Sequence, residues 1–401
     1  MIADNRRTRA HLDIPLILMV GSLCLFGVLA VSVATYGIDS SAESILAHIL
    51  ESSSAMRQCF FLMLAPVIVA FIINIPYHLI KRFTTVLYYL ATILVAVTWL
   101  TNGAEGVKAW TDVIWGYTIQ PSEFIKLAMI LVLARDLSKE DRPLSTGRDF
   151  WKLMGRVALP AFIILASGET GSLIVIVFFC AVMMFFSNVN MRLILTLIAV
   201  AVLAVIALYA GMVAFDIDDY RLRRIIAFVN PEMSPLDDAY QMNQSKIAIG
   251  SGGLSGIGIY QDGSMSQLNY VPADWTDFIF ATIGEAWGFI GCSLIVLAYM
   301  AIILRMLYLA RYTTDKYGML VIIGVMGMLL FHVFENIGMT LGLLPITGIP
   351  LPFLSYGGSN MTTNMGGLGL VLNVTRNRSL ATGYSTPQTE PMNKLRYLTR
   401  R

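Results

Sequence analysis

Charge is what this sequence has least of. Only 13% of its 401 residues are Asp, Glu, Lys or Arg, against roughly 25% in an ordinary soluble domain. So few charges exclude a water-soluble surface over most of the chain. The formal net charge is only +2, and no basic stripe accompanies it, so no nucleic acid partner is expected. Cysteine is scarce too. Cys24, Cys59, Cys180 and Cys292 lie in or beside apolar runs without paired or CxxC spacing, which excludes a disulfide framework or a zinc site and leaves small core residues. The Gly-rich "GSGGLSGIG" of residues 250–258 lacks a following GK[ST] and a flanking βαβ pattern, so it is not a phosphate-binding loop. Its glycines instead permit tight turns and close approach of backbone to another surface or a ligand. The N-terminus begins like a signal peptide, but its apolar part, residues 14–36, is too long and has no clear A-x-A-like cleavage site. It reads as a retained first span.

What is abundant is apolar residue, 56% of the chain, with a mean hydropathy of +0.69. Runs long enough for a hydrocarbon core of about 30 Å recur throughout. The fold expected is an all-α polytopic membrane protein of about ten transmembrane helices. The spans fall near 14–36, 59–76, 83–101, 120–137, 157–169, 171–188, 192–215, 276–304, 318–341 and 350–374, the fourth, fifth and tenth being weakest. With both termini cytoplasmic, most of the 28 Lys and Arg residues fall on inner segments, as the positive-inside rule requires. Residues 1–380 then form one integral membrane domain, 216–275 its large, mostly acidic extracytoplasmic loop, and 381–401 a polar cytoplasmic tail drawn to anionic lipid. Loops of that length are usually functional or disordered. This one has amphipathic and Gly-rich pieces and is expected to fold onto the membrane surface.

Several polar groups stand where apolar residues would be easier to accommodate. Glu123 and Lys126 in "IQPSEFIKLAMI" share a helix face, either as an ion pair that only joins helices or as a functional pair, since intramembrane charge is costly. Glu335 and His332 in "FHVFENIGM" also share a face and read as a hydrogen-bonded pair or a binding element. The Pro- and Gly-rich run of residues 341–369 continues into Ser355, Tyr356, Ser359, Asn360, Thr362 and Thr363. Such breakers are tolerated at membrane depth only where freed backbone is buried or lines a wet cavity, so a polar cavity is expected there. In "PADWTDFIFATIGEAWGFIG", Asp274 and Asp277 can cap a helix start, at about 1 kcal/mol apiece. Glu285 lies about 12 Å deeper at 1.5 Å per residue, and capping does not explain it.

Together "QPSEFIKLA", "YQMNQSKIAIGSGGLSGIGI", "TDFIFATIGEAWGFIG" and "NIGMTLGLLPITGIPLPFLSYGGS" resemble, in order, the SEDS (shape, elongation, division and sporulation) family, which includes RodA, FtsW and SpoVE. The resemblance runs from about residue 103 to 373, the first three spans matching only in topology. It implies a peptidoglycan glycosyltransferase that polymerises lipid II at the outer face of the bacterial cytoplasmic membrane, partnered by a class B penicillin-binding protein. By the family's pattern Asp277 is the proposed catalytic residue. Glu123, Lys126 and Trp110 correspond to motif residues, and Glu285 to the acid of its "GEE". Three departures stand out: Ala109 where Arg precedes the Trp, with Lys108 adjacent as a substitute cation; Glu169, in "GETGS", where Asp is usual; and Ala286 where a second acid is usual. The resulting hypothesis makes Asp277 the general base on a sugar hydroxyl. Arg224, Lys126 and Lys108 then lie near the departing diphosphate, and Glu285, Ser355 and Tyr356 contact substrate. No cofactor is required, though a divalent cation could assist. The rival readings are a lipid II flippase or other transporter, and an inactive scaffold for the penicillin-binding protein.

Overall fold

A computed structural model describes residues 12–37, 44–101, 109–112, 118–140, 143–215, 220–230 and 238–384. In chain order the helices are α1 (Ile14–Ala34), α2 (Ile45–Glu51), α3 (Ser53–Asn74), α4 (Tyr77–Thr101), α5 (Pro121–Leu137), α6 (Gly147–Ser167), α7 (Thr170–Phe186), α8 (Met191–Ala214), α9 (Tyr220–Val229), α10 (Asp238–Ser251), α11 (Ile279–Arg311), α12 (Lys316–Thr340) and α13 (Gly358–Tyr384). Among the described residues the one departure from helix pairing is a short antiparallel pair between α4 and α5, β1 (Thr111–Asp112) and β2 (Thr118–Ile119).

Each of the ten expected spans coincides with one of these helices. Seven are long and apolar enough to cross a membrane. The exceptions are α5, α7 and α13, so the fifth expected span is stronger than its sequence window: α6 begins at Gly147, about ten residues before the apolar run. Thr146 caps it by accepting the Asp149 amide, and Gly168 ends it with a left-handed φ of 98°. The chain is a multi-pass membrane protein.

α12 forms the centre. Buried residues make up 83% of its most apolar stretch, against 6% for α8, which faces outward along nearly its whole length. α5, α7, α11 and α13 pack around α12, while α3 lies along α13 and α4 along α5. The ion pairs Arg305–Asp13 at 2.7 Å, Lys81–Asp315 and Arg156–Asp136 gather where α1, α4 and α12 start and α5 ends. By the up-and-down course of the chain, this is one end of the bundle. α9, α10 and the turn-rich residues 252–278 cover the other. All four cysteines are free thiols, as their spacing implied.

The Gly-rich loop performs a specific packing task. Gly288 interrupts α11 with φ 63° and ψ −162°, a conformation that favours glycine. There the loop docks backbone to backbone. Ile257 and Gly258 donate to the carbonyls of Glu285 and Ala286 at 3.0 and 3.2 Å, and Phe289 and Ile290 donate to Gly253 and Leu254 at 2.9 and 3.1 Å. A Cβ at Gly256 would stand 2.1 Å from the Ala286 oxygen. The close approach expected of these glycines is therefore to the chain itself.

Candidate active site

A polar cavity of about 320 Å³ opens at the α9–α10 end, at the lower end of the range for small-molecule sites. The broken segment between α12 and α13 supplies one wall, as its prolines and glycines implied. The residues before α11, the first turn of α5, the α6–α7 turn and α9 supply the others. Of the residues picked from sequence, Asp277, Arg224, Glu123, Lys126, Trp110 and Tyr356 meet here, although they come from five separate segments of the chain. Lys108 lies outside the described residues.

Asp277 precedes the first turn of α11 and is partly buried. Burial pushes its pKa up from the ordinary 3.8 to about 6, with the charge of Arg224 opposing the rise. Gly348, at φ +72°, lies between the two: a Cβ there would be 3.5 Å from Asp277 Oδ2 and 3.8 Å from Arg224 Nη1. The space facing the acid and the guanidinium is thus kept clear by a residue whose backbone conformation also favours glycine. Asn336 on α12 fixes this wall from behind. Its Nδ2 donates to the carbonyls of Asp277 and Ile349 at 2.7 and 2.8 Å.

On the opposite wall the Lys126 ammonium donates to Glu123 Oε1 at 2.6 Å and meets His332 Nε2 at 3.0 Å. His332 Nδ1 lies 2.7 Å from the Met328 carbonyl. A carbonyl can only accept, so Nδ1 carries the ring proton and Nε2 accepts from the lysine. The expected His332–Glu335 pairing does not form. Glu335 Oε1 instead accepts from Thr347 Oγ1 at 3.0 Å, because two partners on neighbouring elements claim the two side chains first.

Three other expectations are corrected. Glu285 does not line the cavity: it is buried and accepts from the Met265 and Ser266 amides at 2.6 and 3.1 Å and from Ser266 Oγ at 2.8 Å. It anchors the turn of residues 264–266 onto α11. Ser355 is buried and spent on the backbone, accepting from the Leu351 amide at 2.8 Å. Asp274 does not cap α11, which starts at Ile279 without a side-chain cap. Asp274 is buried with neither carboxyl oxygen hydrogen-bonded, and burial raises its pKa well above the ordinary value.

Glu169, noticed in sequence only as a departure, is a cavity residue. It precedes α7, and neither carboxylate oxygen has a hydrogen-bond partner, although Ser122, Gln120 and Ser172 are near. Glu123 Oε2 and Asn360 Nδ2 are likewise buried without partners. Buried polar atoms are normally satisfied, so several unsatisfied ones on one cavity mark where the polar groups of a ligand or water would bond. No group of three or more His, Cys, Asp or Glu able to hold a metal occurs among the described residues.

The FtsW/RodA/SpoVE family model, described as "Cell cycle protein", matches residues 15–380. The chain is 36% identical to the stage V sporulation protein E of Bacillus subtilis (strain 168), over 80% of this chain and 87% of that protein. It is 34% identical to the peptidoglycan glycosyltransferase MrdB of Escherichia coli (strain K12), over 78% and 83%. Among solved structures, a chain of a peptidoglycan synthase complex that coordinates polymerization and crosslinking superposes with a TM-score of 0.73 at 25% identity, covering 92% of this chain and 98% of that one. The crystal structure of Thermus thermophilus RodA gives 0.64 at 24%, covering 92% and 97%, and shares the fold. The chain belongs to the FtsW/RodA/SpoVE family.

Proposed function

We propose that this protein is a peptidoglycan glycosyltransferase that polymerises lipid II at the outer face of the cytoplasmic membrane, both termini lying inside, with Asp277 as its general base. The observation that carries the reading is the pairing of Asp277 with Arg224 across Gly348 in the polar cavity. A pKa near 6 suits a base at neutral pH, where about nine-tenths of the carboxyl is ionised and the proton-transfer driving force is still useful.

In this reaction the Asp277 carboxylate takes the proton of a sugar 4-hydroxyl as that oxygen attacks the anomeric carbon of a second lipid-linked disaccharide. The bond from that carbon to the diphosphate oxygen breaks, the polyprenyl diphosphate departs with the electron pair, and the anomeric centre inverts. General-base help contributes roughly 10² to 10⁴ in rate. The growing charge on the diphosphate needs fixed cations. Arg224 and Lys126 take that role, with Lys108, two residues before Trp110 in sequence, as a third. Glu123 holds Lys126, Glu169 and Tyr356 face the sugars, and Glu285 and Ser355 shape the walls from behind. A divalent cation, if bound, would add to the positive charge facing the leaving diphosphate, and activity unchanged by a chelator would exclude it.

The partner proposed is a class B penicillin-binding protein, which would cross-link the strands. The likeness to a chain from a peptidoglycan synthase complex and the resemblance of the family motifs support it. The test is to incubate the purified protein with lipid II, with and without that partner. Glycan ladders support the polymerase. Movement of labelled lipid II across vesicle leaflets without polymer would replace it with a transporter, and neither product with a scaffold.

A further inference from the structure

The cavity walls come from different parts of the chain, yet one helix bonds to three of them from behind. His332, Glu335 and Asn336 fall one turn apart on one face of α12, since residues three and four apart stack along a helix. His332 accepts from Lys126 on α5, Glu335 accepts from Thr347 in the broken segment, and Asn336 donates to Asp277 and Ile349. All three are buried in the most enclosed helix of the bundle.

Each bond has a local reason. The carbonyls of Asp277 and Ile349 belong to non-helical backbone, whose polar groups need internal partners where water is scarce. One primary amide carries two N–H donors and satisfies both, joining the segment before α11 to the broken segment beside it. The lysine ammonium has three N–H donors. Glu123 and His332 fix two of them, and the tetrahedral nitrogen then sets the direction of the third.

We infer that α12 is the spacer of the site: His332 and Asn336 are positioning residues that set the separation between the Lys126 cation and Asp277 during glycosyl transfer. The anchor points are four residues apart, about 6 Å along a rigid helix. Catalytic groups must hold their places to about 0.5 Å, and a displacement of 1 Å can cost on the order of 100-fold in rate. This inference rests on the polymerase reading and adds the two residues that set its geometry.

The test uses full-length protein with its penicillin-binding partner and lipid II, comparing the parent with Asn336→Ala, His332→Ala and His332→Gln. Asn336→Ala should lower kcat by roughly 10- to 100-fold with KM within about threefold. It should also move the acid limb of the pH profile downward, because the loosened segment lets water reach Asp277. The charged groups sharing the cavity with Asp277 are Arg224 on α9, Glu123 and Lys126 on α5 and Glu169 before α7, and none is changed. His332→Ala should lower kcat as well, and His332→Gln, whose amide oxygen can accept from Lys126, should recover part of it. An Asn336→Ala protein with kcat within about twofold of the parent and an unmoved acid limb overturns the inference. If that variant does not accumulate in the membrane, Asn336→Ser, which keeps one donor, decides by the same two readouts. A parent that makes no glycan overturns the polymerase reading; an active parent with equally active variants overturns only the spacer.

Discussion

Asp277→Asn should make the protein more stable at neutral pH and no more stable in acid. The carboxyl titrates near 6 in the folded protein against an ordinary 3.8, a difference of about 3 kcal/mol at 1.36 kcal/mol per pH unit. Because the folded-state value is raised, the folded chain holds the proton longer than the unfolded one. Below about pH 4 both states are protonated and the group costs nothing. As pH rises from about 4 to 6 the unfolded state ionises first, stability falls, and above about 6 the full cost applies. Asp277 is partly open to the cavity, so water reduces the figure to about 1 to 3 kcal/mol. The neutral amide removes that cost. Thermal unfolding of the detergent-solubilised parent and variant, at matched scan rates because such unfolding is often irreversible, should show the variant's midpoint a few degrees higher at pH 7.5. The gap should close as pH falls through 6 and vanish near 4. A variant less stable than the parent at pH 7.5, or a gap independent of pH, would refute the claim that this carboxylate is held in a desolvated site.

Other outcomes follow from the same geometry. The activity of the parent should rise with pH through an acid limb near 6, and Arg224→Gln should move that limb upward, since its charge now opposes the rise; an unmoved limb in a pH–rate profile would dissociate the two groups. Gly256→Ala would place a Cβ 2.1 Å from the Ala286 oxygen at φ +84°, and should cost about 2 to 5 kcal/mol from overpacking and left-handed strain, seen as a lowered thermal midpoint, whereas Gly250→Ala, with open space around it, should not. Lys126→Met should destabilise by about 3 to 5 kcal/mol, because it strands Glu123 as a buried charge, and the double variant with Glu123→Gln should recover much of that loss in the same unfolding assay.

The sequence made much of this architecture legible because membrane insertion leaves a coarse signal. Apolar run length placed every long helix, and the cost of intramembrane charge singled out Glu123 and Lys126. What it did not reveal depends on pairing between distant segments. Gly288 looks like any glycine in an apolar helix until the loop of residues 252–258 is laid against it. Glu285 looks like a cavity acid until the amides of Met265 and Ser266 are counted, and Ser355 like a ligand group until the Leu351 amide is found on it. His332 and Glu335 share a helix face, but the nearer partners are on other elements. Asn336 carries a weaker signal, a lone amide in an apolar helix with no neighbour in sequence to satisfy it.

The most direct measurement of the central claim is glycan synthesis from lipid II by Asp277→Asn beside the parent, each with the penicillin-binding partner and matched for folded protein by thermal midpoint. The account predicts ladders from the parent and a loss of roughly 10²- to 10⁴-fold in the variant, despite its greater stability. An Asp277→Asn protein that polymerises as well as the parent would contradict it.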